Sequence, residues 1–248
     1  MIVPDSPCPR QPPVSVVRRR RTSSVRRISA LLGVAAVGCA LAACGTTVSG
    51  HPRSSSGPSS TAAVSELARL LPNPSQFPEP YAAVELPPDT AEQAAHDLDG
   101  ILPGARVDPE DCAPVPPVSV PAVSVGTDDA TRATLTVELV RTDHSLATLQ
   151  RQLERCGTVR ATQNGTTATV TTELLPPPPL DADETVALRR TVRSEAGDPE
   201  TTRNMRTLLG QVGDVRITVT YMTFGADSLD GEALDSLFTT AVSKVRRG

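Results

Sequence analysis

Residues 204–224 read Asn-Met-Arg-Thr-Leu-Leu-Gly-Gln-Val-Gly-Asp-Val-Arg-Ile-Thr-Val-Thr-Tyr-Met-Thr-Phe, and this stretch decides the fold. Val215, Ile217, Val219 and Tyr221 fall on one side of a period-two pattern, with Arg and Thr between them. Side chains alternate across a strand, so 215–224 predicts a strand with one face toward a core. Residues 204–212 precede it, and Gly213-Asp214 between them fits a two-residue hairpin turn. Working outward, 158–163 and 166–175 flank Asn164-Gly165, a second hairpin signal. Residues 184–193 follow a Pro176–Pro179 corner. Ala133, Leu135, Val137 and Leu139 alternate with Thr134, Thr136 and Glu138. Successive hairpins predict an antiparallel sheet of about five or six strands. Its Thr-rich outer face suits an exposed pleated surface.

Four segments carry helical spacing. Val64, Leu67, Ala68 and Leu71 form a stripe that stops at Pro72. Ala91, Ala94, Ala95 and Leu98 repeat it, with Thr90 and Gln93 placed as a capping box and Gly100 as the stop. Leu146, Leu149 and Leu153 lead into Cys156-Gly157. Leu234, Leu237, Phe238, Ala241, Val242 and Val245 form the longest stripe, with Lys244, Arg246 and Arg247 placed favourably at its C-terminal end. Helices covering the apolar face of an antiparallel sheet give an α+β class.

The 248 residues include 24 Pro, no Trp and five aromatics, Phe77, Tyr81, Tyr221, Phe224 and Phe238. Few stacking rings and an acidic balance argue against nucleic acid as a partner. One apolar stretch alone approaches spanning length, which excludes a polytopic membrane protein. That stretch, Ile28 to Ala43, follows Arg18-Arg19-Arg20-Arg21 and Arg26-Arg27 and ends in Leu41-Ala42-Ala43-Cys44-Gly45. Basic segment, apolar run and small residues stand in the order of an export signal. The Cys after them resembles the bacterial lipobox, which implies cleavage after Ala43 and lipid attachment at Cys44. Two acyl chains on Cys44 would make a stable membrane anchor. Residues 1–43 are therefore expected to be a signal peptide, and the Pro-rich 1–17 point to a later translation start. Val25-Arg26-Arg27-Ile28 lacks the flanks of a twin-arginine signal, and the export route stays open. A single Lys against 23 Arg reflects GC-rich coding and suits an actinobacterial host.

Residues 44–63 follow as a flexible tether rich in Ser, Gly, Pro and Thr, too poor in apolar surface to offset its ordering entropy. Residues 64–248 are expected to form one domain. Beyond Ala43 the chain carries 17 basic and 27 acidic side chains, and so would be held at an anionic bilayer by Cys44 rather than by its surface charge. With Cys8 and Cys39 in the leader and Cys44 lipidated, Cys112 and Cys156 remain, and an oxidising compartment predicts that they pair.

Catalytic patterns are absent from the sequence. There is no G-x-S-x-G elbow, no phosphate-cradling Gly motif and no metal-ligand spacing around His51, His96 or His144, so no cofactor and no metal are expected. His96 beside Asp97, and His144 beside Ser145, read as surface residues. Asp128-Asp129 and Glu110-Asp111 lack the spacing of a calcium loop. Asn164-Gly165-Thr166 matches a glycosylation sequon, although a hairpin accounts for it. Tyr221, Met222 and Phe224 cluster rare large side chains. They either close the core against Phe238 or line an apolar pocket.

Asp111-Cys112, Glu154-Arg155-Cys156-Gly157-Thr158 and Gln211-Val212-Gly213-Asp214-Val215-Arg216, with a lipobox, a Ser/Pro tether and a terminal helix, resemble mycobacterial lipoproteins similar to the extracellular sensor domain of the PknH receptor kinase. That resemblance spans roughly residues 64–248. It implies an antiparallel sheet with flanking helices and a cleft, and ligand sensing at the cell envelope. Where the kinase sensor carries two disulfides, this chain can form one. No kinase motif accompanies the domain here, so signalling would need a partner. The expectation is a non-catalytic, lipid-anchored binding or accessory sensor domain on the outer face of the plasma membrane, with a small molecule, a lipid or an envelope protein as its partner. An envelope hydrolase with an unrecognised site, and a structural or interaction lipoprotein, are the alternatives.

Overall fold

A computed structural model describes residues 66–115, 119–177, 179, 182–196, 201–225 and 229–248. All of them belong to one compact unit, Ser54–Gly248. The expected signal peptide, Cys44 and the tether lie outside the described residues. The strands are β1 (Ala82–Glu85), β2 (Arg106–Asp108), β3 (Ala122–Thr127), β4 (Thr134–Arg141), β5 (Thr158–Gln163), β6 (Thr166–Leu175), β7 (Glu184–Ser194), β8 (Arg203–Val212) and β9 (Val215–Phe224). They form one sheet in the order β1-β3-β4-β9-β8-β7-β6-β5-β2, and every pairing is antiparallel. Helix α1 covers 66–70; α2 (Pro88–Asp99), α3 (Leu146–Arg155) and α4 (Gly231–Arg247) complete the set.

The sheet has nine strands where sequence spacing predicts five or six. The three additions are β1, β2 and β3. Two of them are edge strands of four and three residues beside Pro87 and Pro109, too short to show a period. Edge positions tolerate adjacent Pro because one side of the strand needs no ladder. The third, β3, is buried on both faces along much of its length, so its Ala-Val-Ser-Val-Gly-Thr run carries no clean alternation.

The hairpins form where the turn residues place them. Asn164 and Gly165 both adopt positive φ (51° and 79°), as a type I′ turn requires, and Gln163 faces Thr166 across it. Gly213 has φ 58°, with Val212 facing Val215. Ser145 caps α3 by accepting from the Thr148 N–H. Gly100 ends α2 in the left-handed region at φ 70°. The Thr90–Gln93 capping box does not form, because α2 begins earlier, at Pro88, which lacks the N–H that a cap would satisfy.

Both faces of the central sheet are covered. On one face, α4 lies over β4, β9 and β8. Leu234, Leu237, Phe238 and Ala241 are inaccessible there and share a core with Leu135, Val137, Leu139, Ile217 and Val219. Gly210 lets the Phe238 ring approach the sheet, since a Cβ at that position would sit 3.1 Å from it. On the opposite face α3 packs on β6, β7 and β8, with Leu146, Leu149 and Leu153 against Val186, Leu188 and Leu209. The chain entering α2 is hydrogen-bonded to β3 (Leu86 N–H to the Val123 carbonyl), and the C-terminal end of α2 reaches β7, where Arg190 donates to the Leu98 carbonyl at 2.7 Å. The face expected to be exposed is therefore roofed on either side. Thr136, Thr207 and Thr220 on it are buried, and the last two share a 3.0 Å hydroxyl contact.

Cys112 and Cys156 are disulfide-bonded across 44 residues of chain. The bond joins the C-terminal end of α3 to the segment after β2, beside Val107 and Val159. In the chain-entropy account a loop of this length contributes about 3–4 kcal/mol. The Cys112→Ala, Cys156→Ala double variant is expected to lose about that much in a urea unfolding titration. An unchanged midpoint and slope would show that the bond constrains nothing.

Candidate functional site

Helices α2 and α3 do not meet over the sheet. Between them lies a groove of about 650 Å³, within the range of small-molecule sites. Its floor is the Thr-bearing face of the sheet: Glu138 and Val140 of β4, Arg216, Thr218 and Thr220 of β9, Thr207 and Leu209 of β8, Leu188 and Arg190 of β7. Its walls come from α2 (Glu92, Ala95, His96, Leu98, Asp99) and α3 (Thr148, Leu149, Gln152, Leu153). Cys112 and Cys156 line it as well, so the disulfide braces one wall.

The charged groups of the groove are unequally satisfied. Arg190 is fully engaged: it donates to the Leu98 carbonyl, to the Thr172 hydroxyl at 3.2 Å, and lies 3.5 Å from Asp99. Arg141 is held at the mouth by Asp214 at 2.6 Å and Glu66 at 3.0 Å. Asp99 lines the groove with 47% of its side-chain surface open. Desolvation holds its carboxyl above the usual range, against the pull of Arg190 and His96. Arg216 donates to the His144 carbonyl at 2.6 Å.

Glu138 differs from these. Among the described residues, no hydrogen bond or ion pair reaches its carboxyl. Desolvation by the floor and walls, reinforced by the Asp99 charge and only partly offset by Arg216, pushes its pKa up to about 7. A carboxyl in this state switches between hydrogen-bond donor and anion near neutrality. Perturbed acids in clefts mark functional-site candidates.

The structure redistributes the residues singled out by sequence. Tyr221 is buried in the opposite core, edge-on to Tyr81 with ring centroids 6.4 Å apart, in the same cluster as Phe238. Met222 points to the other face and packs near Met205, Val170 and Val192. Phe224 stands exposed at the strand end. Period-two alternation sends neighbours to opposite faces, so Tyr221, Met222 and Phe224 do not line a common pocket, and none lines the groove. His96 and His144, read as surface residues, both border the groove. Asp128 spends its carboxylate on its own turn, accepting from the Ala130 N–H at 2.9 Å and the Thr131 hydroxyl at 2.6 Å. Glu138, Arg190 and Arg216 escaped sequence reading because charges on an alternating strand ordinarily face water. Glu138 and Arg190 carried one signal, a position inside their strands, whereas Arg216, second in β9 beside its turn, carried none.

The fold so described is an α+β protein with a grooved antiparallel sheet. The chain belongs to the family whose model matches residues 66–246, described as a domain of unknown function (DUF5642). It is similar to two solved structures. One is an uncharacterized protein (Rv0999 ortholog) from Mycobacterium smegmatis, at 18% identity and TM-score 0.42, covering 75% of this chain and 96% of that one. The other is the extracellular domain of PknH from Mycobacterium tuberculosis, at 13% identity and TM-score 0.47, covering 74% and 96%. No curated protein matches the chain.

The raised pKa of Glu138 has a signed consequence for stability. The unfolded chain releases this proton near 4.5, the folded chain near 7, so between those values the folded state binds more protons and loses stability as pH rises. Glu138→Gln removes that slope. Relative to the native chain, the variant should gain roughly 1–3 kcal/mol of unfolding free energy between about pH 5 and about pH 8. Parallel stability profiles for the two proteins would contradict a desolvated carboxyl.

Proposed function

We propose that this chain is a lipid-anchored, non-catalytic binding module of the cell envelope, and that the groove between α2 and α3 holds a small ligand. The observation that carries this reading is the groove itself: about 650 Å³, its lining surface mostly apolar, with polar and charged groups set into both walls and floor. That composition is the usual one for small-molecule sites, in which apolar surface supplies affinity and sparse polar groups fix orientation. A lipid anchor at Cys44 and a tether over residues 44–63 would present the domain outside the plasma membrane. Among the described residues, no helix is long and apolar enough to cross a membrane. The dispersed acids and histidines of the groove favour binding over hydrolysis, because among the described residues no side-chain hydrogen bond there joins a nucleophile to a base in the way covalent catalysis requires.

The groove is tested with the neutral fluorophore aminoanthracene. Its emission should saturate at about one molecule per chain, and Leu149→Trp, which puts an indole into the groove, should weaken binding by about tenfold. Thr239→Trp on the exposed face of α4 should leave it unchanged. Equal binding by all three proteins would refute the site. Anchoring has a separate test: Cys44→Ala should move the exported chain from the detergent phase to the aqueous phase on partitioning. Retention in the detergent phase would refute the anchor.

A further inference from the structure

The head group of the ligand can be inferred from the charges left over in the groove. Arg190 and Asp99 answer each other, and Arg141 is held by Asp214 and Glu66. Of the charged side chains on the floor, Glu138 and Arg216 remain, Glu92 and His96 belonging to the α2 wall and His144 to the border. In the β4–β9 register Glu138 faces Thr218 and Val140 faces Arg216, so the two are diagonal neighbours on the groove face. Diagonal pairs lie about 7–8 Å apart at the backbone, within mutual reach of long side chains. They nevertheless form no ion pair among the described residues. Arg216 is turned instead to the His144 carbonyl, which takes one Nη, and its Nε is buried without a partner. The groove floor thus presents an acid that accepts no hydrogen bond beside a cation with an unspent donor, the two kept from pairing by the turn of Arg216 to the His144 carbonyl, with the Glu184 charge also bearing on Arg216.

We propose that this pair receives a dipolar head, with an ammonium against Glu138 and an anionic group against Arg216, on an aliphatic body. The proposal rests on the groove being a binding site. Charge complementarity selects the head, since a cation alone would leave Arg216 unanswered and an anion alone would leave Glu138 so. Desolvated charges are costly unless paired, and a zwitterion pairs both at once. The aliphatic lining selects the body: Leu98, Leu149 and Leu153 on the walls and Val140, Leu188 and Leu209 on the floor, and among the described residues no Phe, Tyr or Trp lines the groove. A free aliphatic amino acid and a zwitterionic lipid share this chemistry.

The experiment is calorimetric titration of the full chain carrying Cys44→Ala, at about pH 8 and without detergent, where Glu138 is expected to be ionised. The probes are α-aminooctanoate, octylamine, octanoate, octanol and dihexanoylphosphatidylethanolamine. The expected result is that α-aminooctanoate or the phospholipid binds at least about tenfold tighter than octylamine, octanoate or octanol, as two charge-assisted contacts against one or none require. The better of the two zwitterions identifies the source as amino acid or lipid. Glu138→Gln should reduce the zwitterion to the affinity of octanoate, and Arg216→Gln to that of octylamine. Thr239→Val, on the exposed face of α4 and outside the groove, should preserve the preference, and retained aminoanthracene binding by Glu138→Gln and Arg216→Gln guards against misfolding as the cause.

Equal binding of all the single-chain probes would overturn the head-group inference while leaving the groove as an apolar site. Tightest binding by octylamine or by octanoate would overturn it in favour of a singly charged head. Binding of none, together with failure of aminoanthracene to bind, would sink the groove reading as well.

Discussion

Period-two alternation in the central strands is the constraint on which the rest depends. In β9, Val215, Ile217, Val219 and Tyr221 face α4, while Arg216, Thr218, Thr220 and Met222 face the other way. A shift of one residue in register would exchange the two sets and put Arg216 into the α4 core. The two-residue turn at Gly213-Asp214 and the eight-residue pairing of β9 with β4 prevent that shift. The sheet therefore has two chemically distinct faces, one for a helix-covered apolar core and one for a polar-floored groove.

The second face is where packing and electrostatics meet. A bare Thr-rich face would be hydrated, and Glu138 on it would be an ordinary carboxylate. Helices α2 and α3 exclude part of that water, and each is fastened to the sheet or to a neighbouring segment. Arg190 holds the end of α2 through the Leu98 carbonyl, and the disulfide holds the end of α3. The fastening keeps the walls apart and the floor half-desolvated, which raises the pKa of Glu138. The same features thus account for a stable sheet and for an unsatisfied pair within it.

Much of this was legible in the sequence. The hairpins at Asn164-Gly165 and Gly213-Asp214, all four helices and the pairing of Cys112 with Cys156 follow from turn chemistry, spacing and compartment. The edge strands did not, because three or four residues beside Pro carry no period of their own and form only by pairing with a neighbour. Nor did the groove. Thr136, Thr207 and Thr220 read as exposed, since β-propensity describes a half-buried surface without saying what covers it. Glu138 and Arg216 were invisible as a site because their proximity arises from the β4–β9 register, across more than seventy residues of chain. Tyr221, Met222 and Phe224 attracted notice by rarity alone, and rarity in sequence carries no direction in space.

Native mass spectrometry of the chain exported from an actinobacterial host and kept from detergent addresses the central claim most directly. A groove that binds a small molecule should carry one through purification, giving a reproducible excess mass that denaturation removes and that Leu149→Trp abolishes. The mass of the polypeptide alone, two hydrogens light for the Cys112–Cys156 bond and identical in native and denatured spectra, would contradict it.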